Sequence, residues 1–177
     1  MSPAVERNDM EKNLEELYFN TFPDLFDKRV DGFACYDGWD SILWDICCTV
    51  NEVNRKILDS EKKIKVQQIK EKFGGLRFYI SAVPEEYCNE VFKAIDRAER
   101  KSYRTCEMCG RWGKIQNDLN WIKCLCGYCH VSTKKKIYLE QAQAKEFMLC
   151  RKIALQKQNE EDAKGTELGT EITLDGN

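Results

Sequence analysis

Residues Lys70–Ile80 read KEKFGGLRFYI. The pair Gly74-Gly75 lies between apolar residues, the pattern of a two-residue β-hairpin, because the turns that match strand twist need positive φ. With these glycines as the turn, Phe73 pairs with Leu76, Lys72 with Arg77, Glu71 with Phe78, Lys70 with Tyr79 and Ile69 with Ile80. Side chains alternate along a strand. One face then carries Ile69, Phe73, Leu76, Phe78 and Ile80 and is expected to join the core, with Glu71 reaching out at its edge. The other carries Lys70, Lys72, Arg77 and Tyr79. Lys72 directly opposite Arg77 is unfavourable unless both point into water or an anion sits between them. The face is therefore a solvated surface or a site for a phosphate or an acidic partner. It is not a phosphate loop, since no Gly-Lys-Ser/Thr follows the glycines.

Working outward, the hairpin is flanked by helical patterns. Met10, Leu14, Leu17 and Tyr18 recur at helical spacing, and Pro23 interrupts that segment. Asp31–Gly38 reads as irregular. A longer helix is expected from Asp40 or Ser41, both good N-caps, through Ile42, Leu43, Trp44, Ile46, Cys47, Val50, Val53 and Ile57. The strands are expected over Ile64–Lys70 and Leu76–Ala82. Pro84-Glu85-Glu86 opens a third helix, whose apolar stripe is Tyr87, Val91, Ala94, Ile95 and Ala98. A last helix is expected from Ser132 or Thr133 to about Gln158. The acidic remainder, poor in aromatics, reads as a disordered tail.

The ten cysteines are unevenly placed. Cys35, Cys47, Cys48, Cys88 and Cys150 are scattered among apolar neighbours and read as buried free thiols. The rest cluster in TCEMCG and KCLCGYCH. Cys106-x-x-Cys109 puts two thiolates on one tight turn, and Cys126-x-x-Cys129 repeats the arrangement after sixteen residues. That spacing is typical of zinc sites. Gly110 and Gly127 are expected to relieve positive-φ strain in the two knuckles. Four thiolates suit tetrahedral Zn²⁺ and leave no position for substrate, so the ion would be structural. Cys124 and His130 could each replace a neighbour in the shell.

Charge follows a block pattern. Residues 1–90 carry 12 basic and 18 acidic side chains, residues 91–136 carry 11 and 4, and residues 137–177 carry 5 and 8. The overall net charge of −2 argues against a generic nucleic-acid coat, but the basic middle block leaves room for a localised anion-binding surface. Within it, Lys93, Arg97, Arg100, Lys101 and Arg104 share one helical face. Arg111, Lys114 and Lys123 continue the charge into the cysteine module. Trp121 is expected to serve as core for the knuckles, and Trp112 as a stacking platform.

No apolar run reaches the roughly 20 residues that span a bilayer, and the polar, acidic N-terminus is not a secretory signal. The expectation is a soluble, cytoplasmic protein with no membrane partner. His130, the single histidine, adjoins Cys129, and adjacent side chains diverge too far to act as nucleophile and base. With no GxSxG, HExxH or Rossmann glycine pattern, a non-enzyme is expected.

The order of motifs from Gly38 to His130 resembles a family of small uncharacterised proteins of bacteria and of phage or prophage regions. The shared features are a Gly-Trp followed by an amphipathic helix (GWDSILWDIC), then KEKFGGLRFY, then C-E-x-C-G and the second cysteine pair. That family often ends its second knuckle in His, where this chain has Cys129. The resemblance implies a provenance and a zinc ribbon, not a mechanism.

The sequence thus predicts an α+β fold: a small antiparallel hairpin or sheet packed by helices, a zinc ribbon and a C-terminal helix. Its expected divisions are a body over 1–105, the ribbon over 106–130, a helix over 131–158 packing on the body, and a tail over 159–177. The functional expectation is a zinc-stabilised binding protein of phage or mobile-element type. It would engage nucleic acid or a nucleoprotein, with Lys70, Lys72, Arg77, Tyr79, Arg97, Arg104 and Arg111 as candidate contacts. The alternatives are a docking inhibitor or adaptor acting on a host protein, for example in a defence system, and a small-nucleotide binder using Lys70, Lys72, Arg77 and Tyr79.

Overall fold

A computed structural model describes residues 10–26 and 32–168, the side chains of 160–168 excepted. The elements in chain order are α1 (Lys12–Thr21), β1 (Phe33–Ala34), α2 (Asp40–Lys56), β2 (Val66–Lys72), β3 (Gly75–Ile80), α3 (Glu85–Ser102), β4 (Lys114–Gln116), β5 (Lys123–Leu125) and α4 (Gly127–Leu168). The fold is α+β. The chain divides into a unit ending at Val131 and a second beginning at Ser132. The second unit is the continuation of helix α4, and residues 169–177 of the expected tail lie outside the described residues.

The first unit is built on a three-stranded sheet in the order β1-β2-β3. The hairpin is present, but its turn lies one residue earlier than expected. Lys72 pairs with Gly75, Glu71 with Leu76, Lys70 with Arg77 and Ile69 with Phe78. Phe73 and Gly74 form the turn, at φ 54° and 77°. From Gln68 to Lys72 the sum of paired residue numbers falls by two, so these residues keep their expected faces. An irregularity between Val66 and Gln68 breaks the alternation beyond, and Val66 is buried as well as Ile69. Only Phe73 changes role: it stands at the tip, 65% exposed, rather than in the core. The sequence also gave no sign of β1, where Phe33 and Ala34 run parallel to Ile69 and Lys70 and make the sheet mixed.

Aromatic residues fill the space over this sheet. Tyr18 packs edge-on to Phe33 at 5.0 Å and to Trp44 at 5.6 Å, and its hydroxyl donates to Asp40. Ile42, Leu43, Ile46, Val50 and Val53 of α2 and Val91, Ile95 and Ala98 of α3 complete the core. Buried Asn54 accepts from the Ile64 amide and donates to its carbonyl, both at 2.8 Å. It thereby ties the end of α2 to the chain leading into β2, substituting for a ladder pair. Leu76 N–H, on the free edge of β3, donates to Ser102 Oγ at 2.8 Å and fixes the last turn of α3 against the hairpin.

Candidate functional site

The second glycine of the hairpin is explained by Tyr103, the residue that follows α3. A Cβ on Gly75 would lie 2.5 Å from the Tyr103 ring. The first meets the cysteine module: a Cβ on Gly74 would lie 2.6 Å from Ile115 Cδ1 and 3.2 Å from the Lys123 backbone. Gly38 is closer still, since its amide donates to the Glu107 carbonyl at 2.7 Å and a Cβ there would stand 2.3 Å from backbone oxygens of Cys106 and Glu107. The module is therefore seated on the body through backbone approaches that only glycine permits.

Within the module, Thr105 bridges to Trp112, and β4 pairs antiparallel with β5. The first knuckle closes with Gly110 N–H donating to the Cys106 carbonyl at 2.9 Å, Gly110 having φ 73° as expected. The second knuckle differs. Gly127 does not have positive φ; it is the first residue of α4. Cys126 takes the N-cap position, its sulfur accepting the Cys129 amide at 3.4 Å and its carbonyl the His130 amide at 2.9 Å. A sulfur cap does what Ser or Asp does elsewhere. Helix α4 therefore begins before the expected Ser132.

Cys106, Cys109, Cys126 and Cys129 bring their four sulfurs within 4.8 Å of one another, and all ten cysteines are free thiols. The Cys109–Cys126 separation is 3.7 Å. A tetrahedral ion with metal–sulfur bonds of about 2.3 Å needs sulfurs roughly 3.8 Å apart, so the cluster fits such an ion and is far too open for a disulfide. The amide of Cys129, helped by neighbouring thiols, brings the Cys126 pKa down to about 7, while burial raises that of Cys106. The two candidate substitutes stand apart. His130 Nε2 is 2.7 Å from Asp118 Oδ1, and Cys124 packs in the main core, where burial pushes its thiol up to about 12.

Next to the cysteine cluster lies a pair that sequence reasoning missed. Lys123 Nζ is 3.0 Å from Glu107 Oε2, with the side chains only 2% and 0% exposed. The ammonium also sits over the Tyr36 ring at 4.7 Å and over that of Trp121 at 5.9 Å. Burial raises the Glu107 pKa against the pull of Lys123. Lys123 is thus an internal strut rather than part of a basic surface. Trp121, expected as core, is 44% exposed and covers this pair from outside.

The hairpin cations share a face as expected but are already engaged. Arg77 donates to the Leu76 carbonyl and to the Tyr103 hydroxyl, and lies 3.6 Å from Glu99. Lys70 stands over Tyr79 at 5.2 Å and Lys72 over Phe73 at 5.5 Å. The guanidinium that a nucleotide phosphate would use is held by Tyr103, a residue outside the expected set.

The cations of α3 are arranged differently. Arg97, Arg100, Lys101 and Arg104, with Tyr103 and Thr105, line one groove of about 630 Å³. Arg100 pairs with Asp96 at 2.8 Å and Lys101 with Asp45 at 3.4 Å. The side chains of Arg97, Arg104 and Arg111 have no acidic partner among the described residues. Arg111 lies on the first knuckle, where its carbonyl accepts the Cys106 amide at 2.7 Å.

Compared with known proteins, the chain matches no protein-family model, no curated protein and no solved structure. Among the described residues, no helix is long and apolar enough to cross a membrane.

Proposed function

We propose that this chain is a non-catalytic binding protein, stabilised by zinc, whose basic groove at the end of α3 engages nucleic acid. Zn²⁺ held by Cys106, Cys109, Cys126 and Cys129 would supply a structural cross-link, since four thiolates close its shell. Provenance from a phage or mobile element rests on the motif order alone.

The observation that carries the reading is the groove lining: four cations, a tyrosine and a threonine, with no carboxylate among them. Within α3, Arg97 has like-charged neighbours at i+3 (Arg100) and i+4 (Lys101). Such pairs each cost a few tenths of a kcal/mol. Asp96 and Asp45 offset the charge of Arg100 and Lys101, which leaves Arg97 and Arg104 as the cations a polyanion would satisfy. The helix dipole favours cations in the last turn and so accounts for Arg100 and Lys101. It does not account for Arg97, one turn earlier, or for Arg111.

Fluorescence anisotropy with a labelled oligonucleotide across a salt series tests the reading. Neutralising about four phosphates predicts an affinity loss of roughly 50- to 150-fold between 50 and 200 mM salt. Arg97→Ala with Arg104→Ala should flatten that slope by about two phosphate equivalents. Binding that ignores both salt and the double variant would sink the proposal. A single co-purifying protein, with no affinity for nucleic acid, would replace it by the docking alternative.

A further inference from the structure

We infer that the groove takes single-stranded nucleic acid, with Trp112 as the platform on which one base stacks. The inference rests on the reading above and adds the strandedness of the ligand and the residue that selects it.

Three observations place Trp112 there. Thr105, which lines the groove, is bridged to Trp112. The hydrogen bonds lie on either side of that pair, from Cys106 N–H to the Arg111 carbonyl at 2.7 Å and from Gly113 N–H to the Arg104 carbonyl at 2.8 Å. A pair flanked in this way is the non-hydrogen-bonded kind, in which opposing Cα atoms approach to about 4.5 Å and the side chains lie close on one face. The Trp112 side chain therefore lies beside that of Thr105, one of the residues that line the groove.

The ring is also unused. Trp112 is 72% exposed, and no hydrogen bond or ring contact engages it among the described residues. Trp39 shows the contrast: it is fully buried and its indole N–H donates to the Thr105 carbonyl at 2.9 Å. Finally, the mount is stiff. A Cβ on the next residue, Gly113, would stand 2.8 Å from the Cys106 amide nitrogen, so the backbone beside Trp112 is pressed against the first knuckle. A rigid, unshielded aromatic next to a cationic groove is the arrangement by which proteins hold unpaired bases.

Dimensions agree. From Arg97 to the end of α3 at Ser102 the helix rises about 7.5 Å, and Arg104 follows in the turn beyond it. One stacked strand presents a phosphate about every 3.4 Å along its axis. The cations can therefore meet about three phosphates before the chain reaches Trp112. A duplex could use the same cations, but its bases are already stacked and offer the indole no face without costly unstacking.

The test uses the full, metal-loaded chain with fluorescein-labelled oligo(dT), oligo(U) and a hairpin duplex of matched length. Single strands, of DNA or RNA, should bind more tightly than the duplex. Trp112→Ala should weaken single-strand binding by roughly 5- to 150-fold and leave duplex binding unchanged. Trp112→Phe should retain most of the affinity, and both variants should melt like the parent. Arg104→Ala should weaken all three ligands. If strands and duplex bind equally and Trp112→Ala changes nothing, the stacking inference fails while the basic-groove reading stands. If no nucleic acid binds, or if Arg104→Ala leaves the binding of all three ligands unchanged, both fail.

Discussion

Gly38→Ala tests how the cysteine module is attached to the body. The added methyl would stand 2.3 Å from two backbone carbonyl oxygens, against an ordinary contact of 3.4 Å or more. Both obstacles are main chain, so no rotamer change relieves them, and the knuckle must withdraw by about an ångström. Overpacking of this kind costs about 1–3 kcal/mol. Withdrawal also strains the 2.7 Å bond from Gly38 N–H to the Glu107 carbonyl, and a buried partner left unmade costs a further 1–3 kcal/mol or so. A combined loss near 3 kcal/mol is large against a typical stability of about 5–15 kcal/mol. It should lower the melting temperature by roughly 6–12 °C. The assay is a thermal melt of metal-loaded protein, paired with the rate at which a coloured chelator takes the metal. The control is Gly127→Ala: nothing lies within 4 Å of a Cβ there, and alanine is the better helix former. That variant should be neutral or slightly stabilised. If Gly38→Ala melts within about 1 kcal/mol of the parent and surrenders metal at the parent rate, the proposed seating of the knuckle on Gly38 is wrong.

Three further outcomes are expected. Lys123→Met leaves the Glu107 carboxylate buried without its ion-pair partner and should cost about 3–5 kcal/mol in urea denaturation, most of it recovered by Lys123→Met with Glu107→Leu; a silent single variant would show that the pair contributes little. Phe73→Asn keeps the turn but removes a bulky residue from the left-handed region, and should raise stability by about 0.5–1 kcal/mol, whereas a loss would mean that the ring under Lys72 matters more than its strain. Burial raises the Cys35 and Cys47 pKa values, leaving little thiolate at pH 8, while Cys150 is exposed. Maleimide labelling followed by peptide mass spectrometry should therefore modify Cys150 quickly and the buried pair only on unfolding; equal rates would contradict the packing.

The four-cysteine cluster was legible because thiol pairs on tight turns leave a spacing signature that survives ignorance of the fold. The faces of the hairpin were legible for a weaker reason: the register differs by two, and a period of two hides such an error. The turn itself was not legible, because Gly75 is needed by Tyr103, and Tyr103 lies 28 positions along the chain. Local sequence offered two glycines and no means of knowing that one belonged to a tertiary contact. The early start of α4 was missed because its cap is a cysteine, a residue that caps here while also offering its sulfur to a metal. Lys123 read as one more surface cation. Only its buried partner, set between the two cysteines of the first knuckle, distinguishes it, and nothing in a linear reading brings Glu107 and Lys123 together.

These misses share a location, the seam where the cysteine module meets the body, and that seam also governs the basic groove. Beyond Ser102 the chain leaves α3 and is held by the Trp39 indole on the Thr105 carbonyl and by Gly113 N–H on that of Arg104. Arg104 therefore lies at the junction of a helix end and the first knuckle, held on both sides. A metal ion in the four-cysteine cluster would take no part in binding an anion. Its effect would be to keep the backbone from Cys106 to Gly113 in one conformation, so that Trp112 and the arginines meet a ligand already arranged. Ordering done before binding does not have to be deducted from affinity afterwards. On this argument metal removal should weaken binding at Trp112 more than at Arg97, because Arg97 lies within α3, whereas Trp112 stands beside the knuckle that a metal would hold.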